Sequence, residues 1–368
     1  MTSVSFIIPT HNRPAELART LNKLDALDID DACAEVIIAD NCSDKPESAN
    51  CSLATHIIRL DVNLGAAARN RAADRAQGDW LVMLDDDSSP LDGPGMLAAL
   101  EGAPDDAAVV MADIHLDNGR GRERGGLPEV FIGCGVAIRR EAFMDAGGYD
   151  HRFGYYAEEY DLAARLLLAG ERVVFDPRFV VEHRKVAAGR DMNLIFERLV
   201  RNNAWVAQRY APDAQRRALL RRDRARYRSI AGKEHATAGF ARGLTDLRRT
   251  LRAQIRSPMS EYLFDRFTGL AHAREALAAA QAATGFDRAC IIEPGKNAEV
   301  IEHALLELGV ELVDDWRDAE GAVPGSMSPG PMSDAAQVWA KSHPAGPRAV
   351  CPWLSAHALV DASQQQAA

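Results

Sequence analysis

The chain has 368 residues, of which 47% are hydrophobic and 26% charged, and its formal net charge at pH 7 is −10. This composition is typical of a folded globular protein and excludes a mainly disordered chain. The acidic balance also disfavours a general nucleic-acid-binding protein. The N-terminus lacks a signal-peptide pattern, and no run of about 18 uncharged apolar residues occurs. We therefore expect a cytoplasmic protein.

From residue 4 to about residue 183, short apolar runs alternate with helical patterns. This alternation predicts an α/β fold with a mostly parallel sheet. The predicted strands are 4–8, 35–39, 56–60, 80–84, 108–112, 130–138 and 172–175. Helices are predicted from Pro14, a favourable first-turn residue, and over 65–76. The stretch 115–129 is rich in Gly and Arg and has no periodicity, which predicts a mobile surface loop.

Long helical patterns follow from about residue 190, and a third pattern of strand, turn, helix and strand begins near Gly285. The predicted helices are 191–212, an Arg-dense run to 228, 241–256 and 260–283. The C-terminal pattern indicates a small α/β unit, closed by a strand at 348–351 and a last helix. The Gly/Pro/Ser-rich stretch 319–334 is interpreted as a linker or long loop. The predicted domains are 1–210, 211–284 and 285–368.

Three predicted strands end in polar residues. The first leads into 9–13, the second into 40–43, and the fourth into Asp85, Asp86 and Asp87. The carboxyl ends of strands in an open parallel sheet meet at a ligand-binding crevice, so these side chains should lie together. A nucleotide fits this set, because Asp40 can accept a hydrogen bond from a base or ribose and Arg69 can reach phosphates.

The three adjacent aspartates would raise one another's pKa unless a positive charge lies among them. Carboxylate oxygens suit Mg²⁺ or Mn²⁺, which complete their coordination with water and substrate phosphates. The triplet therefore predicts a divalent cation bound to a nucleotide diphosphate. A solvated acidic turn is the alternative that the bare triplet leaves open.

Five segments in order resemble the family 2 glycosyltransferases with the GT-A fold. They are "VSFIIPTHNRPAELARTLNKL", "EVIIADNCSD", "NLGAAARNRAADRAQGDWLVMLDDD", "FIGCGVAIRREAFMDAGGYD" and "AEEYDLAARLLLAGERVVFDPRFVVEH". The resemblance covers about residues 3–210. It implies a GT-A domain followed by a helical region and a small C-terminal α/β unit. It also implies inverting sugar transfer from a nucleotide diphosphate donor, most often a UDP-sugar, to an acceptor hydroxyl.

The same resemblance implies roles for individual residues. The nucleotide pocket would be lined by Pro9, Thr10, Asn12, Asp40, Arg69, Asp85 and Asp86. Of these, Asp85 would lie near the ribose. The metal is assigned to Asp87, with His183 as a second ligand and a core or surface histidine as the alternative. The cation would be Mn²⁺ or Mg²⁺.

Transfer to a hydroxyl requires a base, and the family places a carboxylate pair at a helix start. The matching residues are Glu158 and Glu159, with Glu159 where the family usually has aspartate. Either of them could be the base, and acidic residues also favour the first turn of any helix. Asp161 is expected to orient the helix or an arginine rather than to take part in the chemistry.

Other patterns argue for or against competing functions. The turn after the first strand, "PTHNRPAE", is not Gly-rich, which disfavours a nucleotidyltransferase and a nicotinamide oxidoreductase. A non-catalytic nucleotide-sugar-binding or scaffold protein on the same fold remains an alternative. The Arg-rich run 216–229 could contact a membrane surface, an acidic acceptor or a protein, or be a solvated face. The acceptor and the oligomeric state are left open.

The six cysteines are scattered, and none forms a C-x-x-C pair. Their spacing therefore suggests neither a zinc site nor a disulfide framework, and reduced structural thiols are expected. The stretch "EPGKNAEV", residues 293–300, is interpreted as a strand-to-helix turn rather than as a phosphate-binding loop.

Overall fold

A computed structural model describes residues 2–119, 121–185, 191–295 and 297–353. The first half contains β1 (Val4–Thr10), α1 (Pro14–Asp25), β2 (Ala34–Asp40), β3 (Ala54–Arg59), α2 (Ala68–Ala73), β4 (Trp80–Met83), β5 (Ser88–Pro90), α3 (Gly93–Glu101), β6 (Ala107–Leu116), β7 (Val136–Arg139), α4 (Arg140–Asp145), α5 (Glu158–Leu168) and β8 (Arg172–His183). The second half contains α6 (Met192–Tyr210), α7 (Asp213–Lys233), α8 (Thr237–Thr250), α9 (Glu261–Thr268), α10 (Leu270–Thr284), β9 (Arg288–Ile292), α11 (Ala298–Glu307), β10 (Glu311–Leu312), β11 (Gly321–Pro324), α12 (Pro329–Ser342) and β12 (Arg348–Ala349).

A mixed eight-stranded sheet in the order β3-β2-β1-β4-β7-β6-β8-β5 forms the first half of the described chain. Strands β1 to β4 run parallel, whereas β7 is antiparallel to both neighbours and β5 is antiparallel to β8. Strand β1 is buried along its whole length, as expected for a central strand covered on both faces. This is the α/β architecture that the alternating pattern predicts.

The register of the sheet brings the polar strand ends together. Thr10 at the end of β1 lies opposite Asp40 at the end of β2. On the other side of β1, Ile7 lies opposite Met83, so the segment that follows β4 passes beside the end of β1. Strand β5 then pairs with the end of β8, where Ser88 lies opposite His183. The aspartate triplet therefore lies between β1 and the end of β8.

Helices α5 and α6 are joined by a buried charged cluster. The Asp161 carboxylate is fully buried and accepts hydrogen bonds from Arg209 Nη1 at 2.6 Å, Tyr210 Oη at 2.7 Å and Arg165 Nε at 3.0 Å. Asp161 thus orients arginines on two helices, as expected. Because α5 begins at Glu158, this cluster also fixes the position of the carboxylate pair.

The second half packs against one face of the large sheet. Asp191 caps the start of α6, because its side chain accepts hydrogen bonds from the backbone amides of Asn193 and Leu194. Gly239 of α8 lets that helix approach α6 closely, since a Cβ there would lie 1.9 Å from the Asn193 carbonyl oxygen. A parallel sheet in the order β10-β9-β11-β12 follows α10. No helix in the described ranges is long and apolar enough to cross a membrane.

Several sequence-based predictions need correction. The stretch 319–334 is not a linker, because it contains β11 and the start of α12, where Pro329 occupies a first-turn position that tolerates proline. The predicted strand 130–138 is a strand only from Val136. Before it the chain turns at Gly135, where a Cβ would lie 2.7 Å from Ile114. The helix predicted over 260–283 is two helices separated by Gly269, which has φ +85°. The predicted last helix lies outside the described residues.

The described residues of the segment 115–129 also differ from the predicted mobile surface loop. Glu123, Leu127 and Glu129 are buried. Glu129 forms an ion pair with Arg266 of α9 at 2.7 Å, and Glu123 forms one with Lys185 at 2.8 Å. These charge pairs, invisible to a search for periodicity, hold the segment against the sheet and the helices.

Candidate active site

A cavity of about 760 Å³ opens at the carboxyl ends of β1 and β4. The segment 123–134, the start of α5 and the first turns of α6 form its other walls. Nine of the residues predicted from the sequence line it: Pro9, Thr10, Arg69, Asp85, Asp86, Asp87, Glu158, Glu159 and His183. Segments far apart in the sequence are thus brought to one site.

Two predicted residues, Asn12 and Asp40, do not line this cavity. Asp40 is buried, and its Oδ1 accepts a hydrogen bond from the Ser43 amide at 2.9 Å. Its Oδ2 lies 3.7 Å from Arg59 and has no hydrogen-bond partner among the described residues. Asn12 accepts a hydrogen bond from the Asp44 amide at 2.8 Å. In this arrangement both side chains hold the loops behind the cavity, where Asn41 takes the wall position.

Arg13 and Thr10 provide partners for two members of the aspartate triplet. Arg13 lies 2.5 Å from Asp86 Oδ1 and 2.8 Å from Asp87 Oδ2, and Thr10 donates a hydrogen bond to Asp86 Oδ2 at 2.9 Å. Burial raises the pKa of Asp86 to about 7 although Arg13 opposes the shift. For Asp87, burial also raises the pKa, but hydrogen bonds from His183 and Arg13 outweigh it and hold the pKa well below the usual range.

Arg69 is the partner of the third aspartate. The guanidinium is almost fully buried, contacts the Asp85 carboxylate and donates to the Leu84 carbonyl at 3.0 Å. Its Nε has no hydrogen-bond partner in the described part of the chain. A buried arginine on a cavity wall is suited to bind an anionic ligand. The cationic partners of the triplet were not foreseen from the bare sequence.

His183 connects the triplet to the segment 123–134. Its Nε2 lies 3.4 Å from Asp87 Oδ1, and its Nδ1 lies 2.8 Å from Glu123 Oε2. Burial lowers the pKa of the imidazole, but hydrogen bonds to Asp87, Cys134 and Glu123 outweigh it and raise the pKa to about 12. A carboxylate that holds one ring nitrogen while the other faces the site is the usual arrangement behind a metal-binding histidine.

The donor set at this position fits a divalent cation. Asp87 and His183 offer an oxygen and a nitrogen 3.4 Å apart. Asp85, Cys134 and His183 are a second combination, with donor atoms within 4.8 Å of one another. Carboxylate and imidazole ligands leave coordination positions for water and phosphate oxygens, as Mg²⁺ and Mn²⁺ require.

The carboxyl groups of Glu158 and Glu159 form a pair at the start of α5. Glu158 is 3% exposed, and one of its oxygens, Oε2, has no hydrogen-bond partner among the described residues. Burial, followed by the charge of Glu159, raises the pKa of Glu158 well above its usual value. Burial also raises the pKa of Glu159, while a hydrogen bond from Glu158 acts in the opposite direction. Both carboxyl groups therefore keep their protons to a higher pH than an ordinary glutamate does.

Glu159 faces the cavity at a position that glycine keeps open. A Cβ at position 133 would lie 3.2 Å from Glu159 Oε1, so a larger residue there would press on this carboxylate. Glu159 is half-buried, whereas Glu158 lies deeper. Glu159 is consequently the member of the pair that a ligand in the cavity can reach more directly.

Sequence reasoning missed several cavity residues, namely Arg13, Glu123, Cys134, Tyr149, Tyr155 and Lys185. Arg13 belongs to the polar strand end 9–13 that was expected at the crevice, but no role was assigned to it. The others carry no sequence signal, because the fold alone brings them to the triplet. The Tyr149 hydroxyl is buried and has no hydrogen-bond partner in the described residues.

Comparisons with known proteins show which family the first half of the chain is similar to. Residues 5–157 match the profile of the family described as glycosyl transferase family 2. An uncharacterized glycosyltransferase of Haemophilus influenzae is 39% identical over 87 residues, which are 23% of this chain and 29% of that protein. The pre-mycofactocin glycosyltransferase of Mycobacterium tuberculosis is 26% identical over 207 residues, 49% of this chain and 42% of that protein. The chain thus matches less than half the length of both relatives.

A solved structure shows the same fold. The structure of S. aureus TarS 1-349 in complex with UDP-GlcNAc has a TM-score of 0.50 and 17% sequence identity. The match covers 76% of this chain and 87% of that one. Together with the family match, this likeness confirms the resemblance and the GT-A fold expected from the five motifs. Residues 5–157 therefore match glycosyl transferase family 2, and the fold is that of the GT-A glycosyltransferases.

Proposed function

We propose that this protein transfers a sugar from a nucleotide diphosphate donor to an acceptor hydroxyl, with inversion at the anomeric carbon and with a divalent cation bound. The observation that carries the proposal is the meeting of the aspartate triplet, the buried Arg69 and the Glu158–Glu159 pair in one cavity. A nucleotide sugar needs donors for its phosphates, and its transfer needs a base for the acceptor proton. The cavity offers both.

In this proposal the donor lies along the ends of β1 and β4. Asp87 and His183 would hold the cation, with Asp85 toward the ribose. When bound, a divalent cation supplies positive charge that stabilises the diphosphate leaving group. Arg69 donates hydrogen bonds to the nucleotide sugar from the cavity wall. Asn12 and Asp40 support the nucleotide pocket through the loops that they hold.

Glu159 is proposed as the base. It takes the proton of the acceptor hydroxyl as the oxygen attacks the anomeric carbon from the face opposite the leaving phosphate. Glu158, which keeps its own proton, donates a hydrogen bond to Glu159 and stabilises its ionised form. A carboxylate is needed here because a neutral hydroxyl is a weak nucleophile.

Calorimetric titration with UDP, with and without Mn²⁺, tests the donor site. UDP is the first nucleotide to try, since the TarS structure contains UDP-GlcNAc. We expect binding that strengthens with Mn²⁺, and we expect Asp87→Ala to lose that metal dependence. Asp74→Ala is the control, because Asp74 is an exposed acid directly after α2 that does not line the cavity. If UDP, GDP and dTDP all fail to bind, the scaffold alternative replaces the enzyme.

Helix α7 carries an exposed row of arginines, Arg217, Arg221, Arg224 and Arg228. Their spacing of four, three and four residues places them on one face of the helix. Within the described residues none of the four forms an ion pair with an acidic side chain. We propose that this row contacts an anionic surface, either a membrane or an acidic acceptor.

Vesicle sedimentation tests the membrane form of this contact. Each arginine near an anionic surface contributes about 1 kcal/mol, so we expect Arg→Gln at all four positions to weaken binding to phosphatidylglycerol vesicles by roughly 100-fold or more. A matched control replaces four exposed arginines that are ion-paired: Arg172, Arg178, Arg288 and Arg317. An equal loss of vesicle binding in the two variants would show that only the net charge matters. If the wild-type protein binds phosphatidylglycerol vesicles no more strongly than neutral vesicles, contact with a membrane is ruled out.

A further inference from the structure

A buried thiol lies among the proposed metal ligands of the cavity. Cys134 precedes β7 in the turn that contains Gly133 and Gly135, and its Sγ lies 3.6 Å from His183 Nδ1. One oxygen of Asp85 contacts Arg69, which leaves the second oxygen for another partner. The donor atoms of Asp85, Cys134 and His183 all lie within 4.8 Å of one another.

These three side chains present one oxygen, one nitrogen and one sulfur. Mg²⁺ and Mn²⁺ prefer oxygen ligands, whereas a thiolate with an imidazole favours Zn²⁺ and similar soft divalent ions. With Zn–S near 2.3 Å and Zn–N near 2.0 Å, the ligand atoms of a tetrahedral site are about 3.5 Å apart. The three donor atoms lie within 4.8 Å of one another, and small side-chain rotations would bring them to this spacing. Three protein ligands leave the fourth position open.

We propose that Asp85, Cys134 and His183 form a site for Zn²⁺ or another thiophilic divalent ion inside the cavity. On binding, the Cys134 sulfur coordinates the ion as a thiolate, and the thiol proton passes to solvent. The spacing of the cysteines could not predict this site, because its three ligands come from the end of β4, the turn before β7 and the end of β8.

The site would also regulate the protein. His183 belongs to both combinations, so Zn²⁺ bound by Asp85, Cys134 and His183 disturbs the Asp87–His183 pair that would hold Mn²⁺. Zn²⁺ at this position therefore inhibits transfer. This consequence rests on the proposed function, whereas Zn²⁺ binding itself does not.

Co²⁺ is the probe for the sulfur ligand, because a thiolate bound to Co²⁺ gives an intense charge-transfer absorption in the near ultraviolet. We expect this band in the wild-type protein and its disappearance on stoichiometric addition of Zn²⁺. Cys134→Ser should lose the band and weaken Zn²⁺ binding by about 100-fold or more. Cys290→Ser is the matched control, since Cys290 is equally buried but lies in β9 of the small sheet. That variant should keep the band.

A measurement on the wild-type protein tests the proposal even if the Cys134→Ser variant does not fold. X-ray absorption of the protein with one equivalent of Zn²⁺ should show a sulfur neighbour at about 2.3 Å. A first coordination shell of nitrogen and oxygen alone, or a Co²⁺ band that persists in folded Cys134→Ser, overturns the proposal. Loss of UDP binding with an intact Co²⁺ band would refute the proposed function and leave the zinc site standing.

Discussion

Glu159→Gln should lower the rate of sugar transfer by roughly 10²- to 10⁴-fold, the usual contribution of a positioned base. Glutamine keeps the size and polarity of the side chain but cannot accept the acceptor proton. Donor binding should be unchanged, because Glu159 is not among the proposed phosphate or metal contacts. Initial rates at saturating donor, together with titration of UDP and Mn²⁺ into the variant, measure the two effects separately.

Glu158→Gln is the matched variant for this test. The glutamine amide can donate a hydrogen bond to Glu159, as the protonated Glu158 carboxyl does, so we expect transfer to fall by no more than about tenfold. The opposite pattern, with Glu158→Gln inactive and Glu159→Gln active, would make Glu158 the base. Full activity in both variants would refute a carboxylate base in this pair.

The raised pKa values of the pair also predict a pH dependence. A base must be ionised to work, and burial raises the pKa of Glu159 above its ordinary value. The rate kcat/KM should therefore rise with pH as Glu159 loses its proton, and this rise should lie above the ordinary range of a glutamate, about 4.3. A pH profile that is already flat from pH 4.5 upward would contradict this assignment.

The central strands of the sheet could be predicted because their apolar runs are long and uninterrupted. Strand β5 could not, since Ser88–Pro90 is a short polar segment that pairs only because the end of β8 lies beside it. The predicted strand at 172–175 ends too early for a related reason. The pairing between β6 and β8 is irregular around Pro177, where the register passes from Phe175 to Val180. Beyond this irregularity the strand pairs again and continues to His183.

The site shows the same division between local pattern and long-range pairing. The aspartate triplet and the glutamate pair have recognisable neighbours in the sequence, and the structure brings both to one cavity. The charged side chains that pair with the site residues cannot be recognised from neighbouring residues in the sequence. Glu123 is 60 residues from His183, and Arg13 is more than 70 residues from the aspartates that it contacts. Such pairs depend on sheet register and loop packing, which a single sequence does not specify.

Asp161 shows how strongly one such pairing can support the site. Its carboxylate is fully buried and binds side chains from both α5 and α6. In Asp161→Ala the Arg209 guanidinium loses its 2.6 Å partner but keeps Asp150 at 3.0 Å and Gln254. Removing one partner of a buried ion pair typically costs 3–5 kcal/mol. We expect the free energy of unfolding to fall by about 3 kcal/mol, the lower end of that range.

Asp106→Ala is the control for this prediction, because the Asp106–Arg172 pair is largely exposed. An exposed ion pair contributes less than about 1 kcal/mol, so this variant should unfold close to the wild type in urea. Equal stability losses in the two variants would contradict the anchoring role of Asp161. If Asp161→Ala is destabilised as expected but still folded, its transfer rate should also fall, since α5 carries Glu158 and Glu159 and depends on this cluster for its position.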